Sequence, residues 1–374
     1  MNKLSKYKVT FQFGYNEEEI EAVTEVLKDN RWVWSHEQTE MLTKEFCDYF
    51  GAKYAIPVNS GSMGLVCALA ALGVGHGDEV ITVANTFPAV PMYVLCLGAK
   101  PVLVDVDEET LCIDPELIED KITQKTKALM PVHTAGHPFN IDPVREIAEK
   151  HGLPLIHDAA QSMGAKYKGK FLGGYPDITV FSFAVHKHVC VNGGMVLTDN
   201  EELYEEIWKK RFEGRAHGKK SEIVDTWGFS VRMLEVSAAI ARVQFRKFRE
   251  GPQRVELRRS IARLYNKLLA DIPEIRTPVE KEWAYHSYCR YIVRAKRRNE
   301  LFNYLHRKGI EVFIHYKTPL HMQNYMIKLY GKQEGMYPIT EKTSKEILTL
   351  PSWPYQTAQH IDYTIESIKE FYKK

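Results

Sequence analysis

Short apolar runs recur through the first half of the chain, each followed by a segment long enough for a helix, and this alternation constrains the fold more than any other feature. The runs cover residues 55–58, 79–83, 101–104, 128–132, 155–157 and 178–183. Continuous apolar strands alternating with crossover segments indicate a parallel sheet covered on both faces, as in doubly wound α/β proteins. Ligands in such sheets sit beyond the carboxyl ends of the strands. The residues that follow each run are therefore the candidates for chemistry. Ahead of the sheet, residues 18–29 place Ile20, Val23, Val26 and Leu27 on a helical stripe with acidic residues leading, and residues 39–50 make a second amphipathic run.

A chain of 374 residues exceeds the size at which one hydrophobic core usually stops growing. Two domains are expected, residues 1–248 and residues 249–374. The second is read from a basic helical stretch reaching Lys267, apolar runs at 291–293 and 311–314, and a helix-like segment at 299–308. Its arginines, Arg254, Arg258, Arg259, Arg263 and the basic run 294–298, could attract a diphosphate, but solvated helix faces explain them better. With 50 basic and 48 acidic side chains the net charge is only +2, which argues against a nucleic-acid partner. The six cysteines are scattered, with no CxxC pair and no secretory leader, so reduced thiols and a cytoplasmic location are expected. No membrane span is expected, because the most apolar region, 80–99, is broken by Asn85, Thr86, Pro88 and Pro91. No metal is expected either: His133, His137, His157, His186 and His188 lack the paired spacing of a zinc site. A GxGxxG fingerprint, which a nicotinamide enzyme would carry, is absent.

After the first run come Asn59-Ser60-Gly61-Ser62-Met63-Gly64-Leu65, small polar and glycine residues opening an apolar helix. Free amides at such a helix start, aided by serine hydroxyls, suit one phosphate, although an ordinary N-cap by Asn59 or Ser60 explains the same residues. The second run leads to Phe87, able to lie against a flat cofactor or simply to fill the core. Asp158 ends the fifth run, a costly place for a carboxylate without a positive partner or several donors, and Gln161 follows about one helical turn later. Capping the next helix is the alternative role for Asp158. The sixth run delivers Ser182 and then Lys187, before Gly193-Gly194. A lysine in a partly desolvated pocket has its amine freed to condense with an aldehyde; otherwise it is an ordinary surface lysine. A phosphate cradle, a flat aromatic, a buried carboxylate and a lysine at one sheet end are together what pyridoxal phosphate requires.

Several blocks, in order, resemble the DegT/DnrJ/EryC1/StrS family of sugar aminotransferases from about Glu18 to the C-terminus. They are residues 60–65, Asn85-Thr86-Phe87, residues 98–107, residues 132–138, Asp158-Ala159-Ala160-Gln161-Ser162, Ser182-Phe183 with Lys187, Gly228 with Arg232-Met233, and Pro319-Leu320-His321. The resemblance implies a type I, aspartate aminotransferase-like fold: about seven mostly parallel strands in a large domain, joined to a smaller C-terminal α/β domain. It implies that Lys187 forms the Schiff base, Asp158 pairs with the pyridinium nitrogen and Gln161 contacts the phenolic oxygen. Ser62, the Met63 amide and Ser182 would hold the phosphate, and Phe87 would stack on the ring. It also implies a homodimer with shared active sites, L-glutamate as amino donor, a pyridoxamine phosphate intermediate form, and a keto-sugar acceptor, nucleotide-linked in the main expectation. A keto-cyclitol or small keto compound is the alternative acceptor.

The chain departs from the family pattern at several positions. Ala184 stands where histidine or glutamine is common, the loop from Lys187 to Gly194 is one residue short and lacks a usual glutamate, and His36-Glu37 replace a frequent Gly-Pro. Ser230 replaces an asparagine that reaches the neighbouring subunit's cofactor phosphate, a contact its shorter side chain puts in question. His188, one position after the lysine, keeps a related dehydratase in view, in which histidine takes the lysine's place. A cofactor-binding scaffold without catalysis is the third reading.

Overall fold

The computed structural model describes residues 8–10, 14–29, 35–175, 177–217, 224–251 and 254–373. The expected first helix runs Glu17–Lys28. Asn16 and Glu19 close a capping box at its start, and three glutamates sit in its first turn, where the helix dipole favours them. The second, Glu37–Phe50, stops at Gly51, whose φ of 74° is a left-handed cap that glycine adopts without strain. A third long helix, Glu235–Glu250, packs against both. Lys247 on it reaches Glu19 at 2.9 Å and Arg242 reaches Glu45 at 2.9 Å.

The strands follow as β1 (Tyr54–Val58), β2 (Glu79–Val83), β3 (Lys100–Val104), β4 (Thr126–Leu129), β5 (Ile156–Asp158), β6 (Lys166–Tyr167), β7 (Lys170–Phe171), β8 (Ile178–Ser182) and β9 (Gly194–Thr198). One sheet has the order β3-β2-β4, all parallel. A second has the order β1-β9-β8-β5; β5 and β8 are parallel, while β9 runs antiparallel to both neighbours. Parallel bridges Leu129↔Leu155 and Val132↔Asp158 bring the two sheets edge to edge. The run expected at 128–132 is a strand only through Leu129, since Pro131 has no N–H to continue the ladder.

Both faces of these strands are buried, which is why the runs read as continuously apolar. Ile56, Val180 and Val196 belong to one core, whereas Ala55, Phe181, Met195 and Leu197 face another. The Val, Ile, Leu, Phe and Met side chains among them each contribute about 1.5–3 kcal/mol by leaving water. The helix Gly61–Ala71 lies on the first of these cores; a Cβ on Gly64 would come within 2.8 Å of Val180, so glycine lets the helix seat closely on the sheet.

In the C-terminal part, β10 (Ile275–Arg276), β12 (Tyr291–Ala295) and β13 (Ile347–Leu350) form an antiparallel sheet. The helices Arg254–Leu269, Arg298–Arg307 and Ala358–Tyr372 enclose a separate core around Tyr265, Tyr291 and Leu305, which also takes in Val9. β11 (Ala284–Tyr285) pairs instead with β6 of the first part. The apolar run 311–314 makes one bridge, Phe313↔Thr349, before the chain leaves the sheet at His315, whose Nδ1 lies 2.9 Å from Thr349 Oγ1. Two of the arginines read as solvated are buried. Arg258 donates to the carbonyl oxygens of Cys289 and Ser352, and Arg298 to those of Ile347 and Ser344, so backbone carbonyls replace the water they give up.

Candidate active site

At the carboxyl ends of β1 and β8 the backbone makes a close-fitting cradle. A Cβ on Gly61 would lie 2.7 Å from Ser182 Cβ, and one on Gly194 would lie 2.6 Å from the Gly61 nitrogen and 2.8 Å from the Phe181 oxygen. Only glycine lets the helix start approach the sheet end this closely. Ser60 caps that helix, its Oγ accepting from the Met63 N–H at 3.2 Å. The capping reading and the phosphate reading therefore coexist: Met63 is engaged by the cap, while the N–H groups of Gly61 and Ser62 have no intrahelical acceptor. Ser62 Oγ sits 2.6 Å from the Tyr93 hydroxyl, and burial raises the Tyr93 phenol to about 12.

Asp158 closes β5 and is 3% exposed. One carboxylate oxygen accepts from the Ala160 N–H at 3.0 Å. Burial raises its pKa to about 6, against the opposing pull of that bond and of Lys187. A carboxylate held this way gains most from a cationic partner. Gln161 is oriented by its surroundings: Oε1 accepts from the Ala135 N–H at 3.1 Å and from Arg290 Nη1. Both partners are donors, so this atom must be the oxygen, and the amide's NH₂ is left to donate to a ligand. Ala135 can offer its N–H here because it turns through a positive φ of 58°.

Behind Asp158, His157 and His133 are stacked and hydrogen-bonded at 3.1 Å, and His157 lies 3.4 Å from Asp177. Burial lowers the pKa of both rings, so they pack as neutral groups rather than as ligands. Among the described residues no group of three or more His, Cys, Asp or Glu could hold a metal ion.

Lys187 lies in the connection between β8 and β9, which is tied at its base by Phe183 N–H to Gly193 O at 2.8 Å and Val191 N–H to Phe183 O at 2.8 Å. The preceding His186 adopts a left-handed φ of 72°, a conformation that costs a non-glycine residue about 1–2 kcal/mol. Burial lowers the Lys187 amine to about 8; Cys289 and Asp158 oppose this and Arg290 reinforces it. The Cys289 thiol is itself lowered, since the charges of Lys187, Arg290 and Arg258 outweigh its burial. His188 is buried elsewhere, its ring 5.6 Å from Phe248 on the helix Glu235–Glu250.

The structure thus brings Ser62, Ser182, Asp158, Gln161 and Lys187 to one end of the strands. Phe87 sits at the rim, 49% exposed, with its ring 6.2 Å from that of Tyr316. Ser230 stands apart on the surface, bridged to Phe212. Three residues passed over in the sequence join the group: Tyr93, Tyr316 and Arg290. Neither Tyr316 nor Arg290 follows a strand of the N-terminal sheets, the signal the sequence offered, and Tyr93 lies beyond the end of β2, inside the helix Val90–Leu95. The glycine cradle at a helix start, the buried carboxylate, the oriented amide and the half-exposed ring fit pyridoxal phosphate.

Residues 14–369 match the model of the DegT/DnrJ/EryC1/StrS aminotransferase family. A protein named "Pleiotropic regulatory protein" from Geobacillus stearothermophilus is 37% identical over 359 residues, which cover 95% of this chain and 94% of that protein. The crystal structure of S. venezuelae DesV in complex with a ketimine intermediate superposes with a TM-score of 0.90 at 33% identity, covering 96% of this chain and 95% of DesV. The structure named "Putative sugar aminotransferase Spr1654 from Streptococcus pneumoniae, PLP-form" gives 0.89 at 27% identity, covering 96% of this chain and 97% of that one. Reinforced by a site whose residues suit that cofactor, these matches over nearly the whole length establish that the chain belongs to the DegT/DnrJ/EryC1/StrS family of pyridoxal phosphate-dependent aminotransferases.

Proposed function

We propose that the enzyme moves an amino group from an amino acid, L-glutamate by family analogy, to a keto-sugar that is nucleotide-linked. The observation that supports this reading is the placement of Lys187 and Asp158 with Ser62, Ser182 and Gln161 at one end of the strands, close enough that each charge acts on the other. Bound pyridoxal phosphate supplies an electrophilic aldehyde and a ring that delocalises the electrons of an adjacent carbon. Lys187 Nζ would hold that aldehyde and, as the free amine, would accept the proton from the donor's α-carbon. The Asp158 carboxylate retains the proton on the ring nitrogen, an electrostatic contribution strongest in the transition state. The Gln161 NH₂ donates to the phenolic oxygen. Hydroxyls of Ser62 and Ser182, with the helix N–H groups, hold the phosphate, and Phe87 covers the ring.

On this reading the two abutting sheets act as one seven-stranded layer, residues 1–248 bind the cofactor, and residues 249–374 form the smaller domain. We place the enzyme in the cytoplasm, a reading supported by six unbridged cysteines. Two copies share the active sites, with Ser230 near the partner's phosphate. The position of His188 against Phe248 speaks against the dehydratase alternative, in which histidine would replace Lys187. Purified enzyme should show the visible band of lysine-bound cofactor, bleached by L-glutamate, and borohydride should fix the label on Lys187. Lys187→Ala should lose turnover by more than about 1,000-fold while binding cofactor weakly and without the band. A variant that kept the parent rate would remove Lys187 from the mechanism.

A further inference from the structure

The Ser62 hydroxyl lies at the start of the helix Gly61–Ala71, and among the described residues its hydrogen-bond partner is the Tyr93 hydroxyl, 2.6 Å away. Tyr93 comes from a separate element, the helix Val90–Leu95, whose Val90 and Val94 are buried in the same core as Leu65 and Ala68. The Tyr93 ring packs against that core, so its hydroxyl sits at the end of a fixed aromatic body rather than on a freely turning chain. Asp158 and Tyr316 lie near enough for their charges to act on the phenol, which places it at the site.

Two bonded hydroxyls share one hydrogen between them and leave the other free. A phenol is a stronger acid than an aliphatic alcohol and so the better donor, while the serine oxygen is the better acceptor. Raised to about 12 by burial, the Tyr93 phenol is protonated at neutral pH and has a hydrogen to give. The Ser62 hydrogen then points away from Tyr93. No carbonyl or carboxylate among the described residues accepts it, and the neighbouring groups at the helix start are N–H donors, which cannot. An anion satisfies them all, taking the serine hydrogen together with the free N–H groups of Gly61 and Ser62. A serine that already accepts from a phenol is polarised into a stronger donor toward that anion.

We propose that Tyr93 is a positioning residue for the cofactor phosphate: by donating to Ser62 Oγ it turns the serine hydrogen toward the phosphate and holds it there. The inference rests on the reading of Ser62 as a phosphate ligand and adds to it the group that orients that ligand. Tyr93 acts through Ser62 and moves no proton in the reaction.

The test titrates full-length apoprotein with pyridoxal phosphate and, separately, with pyridoxal, which lacks the phosphate. It compares the parent, Tyr93→Phe, Ser62→Ala and the double variant, after thermal melts show that each is folded. Tyr93→Phe should bind pyridoxal phosphate about tenfold more weakly, the loss expected when a charge-assisted hydrogen bond loses its orientation, while its pyridoxal affinity stays within about twofold of the parent. Ser62→Ala should weaken pyridoxal phosphate at least as much, and adding Tyr93→Phe to it should change the affinity by less than about twofold, because the phenol then has no serine to orient. A Tyr93 that only ties two helices together would weaken both ligands alike, and that result would overturn the proposal. So would parent affinity in Tyr93→Phe, or a Tyr93→Phe loss that persists undiminished beside Ser62→Ala. If Ser62→Ala keeps the parent affinity for pyridoxal phosphate, the reading of Ser62 falls and this inference with it; if Ser62→Ala weakens binding and Tyr93→Phe does not, the inference falls alone. Should Tyr93→Phe not fold, Tyr93→Leu, which also lacks the donor, is judged by the same ratio of the two affinities.

Discussion

Lys187 and Asp158 both pay for their burial in the protein without cofactor. Asp158 has a folded pKa of about 6 against 3.8 for the free side chain, a gap of about 3 kcal/mol. The sign follows from linkage: below about 3.8 the group is neutral in both states and costs nothing, the cost grows as pH rises from 3.8 to 6, and it is constant above. Asp158→Asn should therefore make the apoprotein more stable at pH 7, by up to about 3 kcal/mol, with the gain shrinking as pH falls from 6 toward 4; urea melts across that range measure it. The same variant should lose about 100-fold or more in kcat, since nothing then holds the ring nitrogen's proton. Lys187 works in the opposite sense. Its ammonium is penalised below about 8 and the penalty is relieved as pH rises toward 10.5, so the rate at which apoprotein captures pyridoxal phosphate should climb through pH 8. A capture profile rising only near 10.5 would show that the amine is solvated.

At the scale of elements, function depends on how near one helix start can come to two strand ends. Gly61 and Gly194 are both in this contact. Gly194 faces the Gly61 and Phe181 backbone, and Gly61 faces Ser182 Cβ and Cα, so neither set of neighbours can rotate away. Gly194→Ala and Gly61→Ala should each cost about 1–3 kcal/mol in stability, the usual cost of overpacking, and both should weaken cofactor binding by widening the cradle. Gly75, with open space around its missing Cβ, is the neutral control. Thermal melts and cofactor titrations together test this; a Gly194→Ala protein as stable and as tight as the Gly75→Ala control would mean the cradle is looser than its contacts indicate.

For the whole molecule, the proposed homodimer accounts for apolar surface that the single chain leaves open. Trp227 is 55% exposed and Leu234 60% exposed, both near Ser230, and Val185 lies exposed two residues from Lys187. Single exposed apolar residues are common, but these lie near Ser230 and Lys187, which the proposed homodimer would bring to a shared site. Sedimentation should give twice the chain mass of 43.2 kDa, and Leu234→Arg should shift it toward one chain while lowering cofactor affinity. A parent protein sedimenting as one chain with full activity would sink the shared-site reading.

The sequence alone determined the strand ladder and the residue at the end of each rung, because a strand buried on both faces must be apolar along its length and stops where a polar residue is wanted. That logic located Ser62, Asp158, Ser182 and Lys187 without coordinates. It could not see Tyr93, which the helix Val90–Leu95 brings to Ser62, nor Tyr316 and Arg290 of the C-terminal part, where the turn at Ala135-Gly136 fixes the Arg290 backbone. It read Arg258 and Arg298 as solvated because a basic residue carries no sign of the carbonyl oxygens that will surround it. It marked residues 311–314 only as an apolar run, which the fold uses for a single bridge ahead of His315 and Tyr316. Apolar periodicity is a local property and survives in one dimension; partners distant along the chain are chosen only when the chain closes on itself, and the tertiary structure decided those.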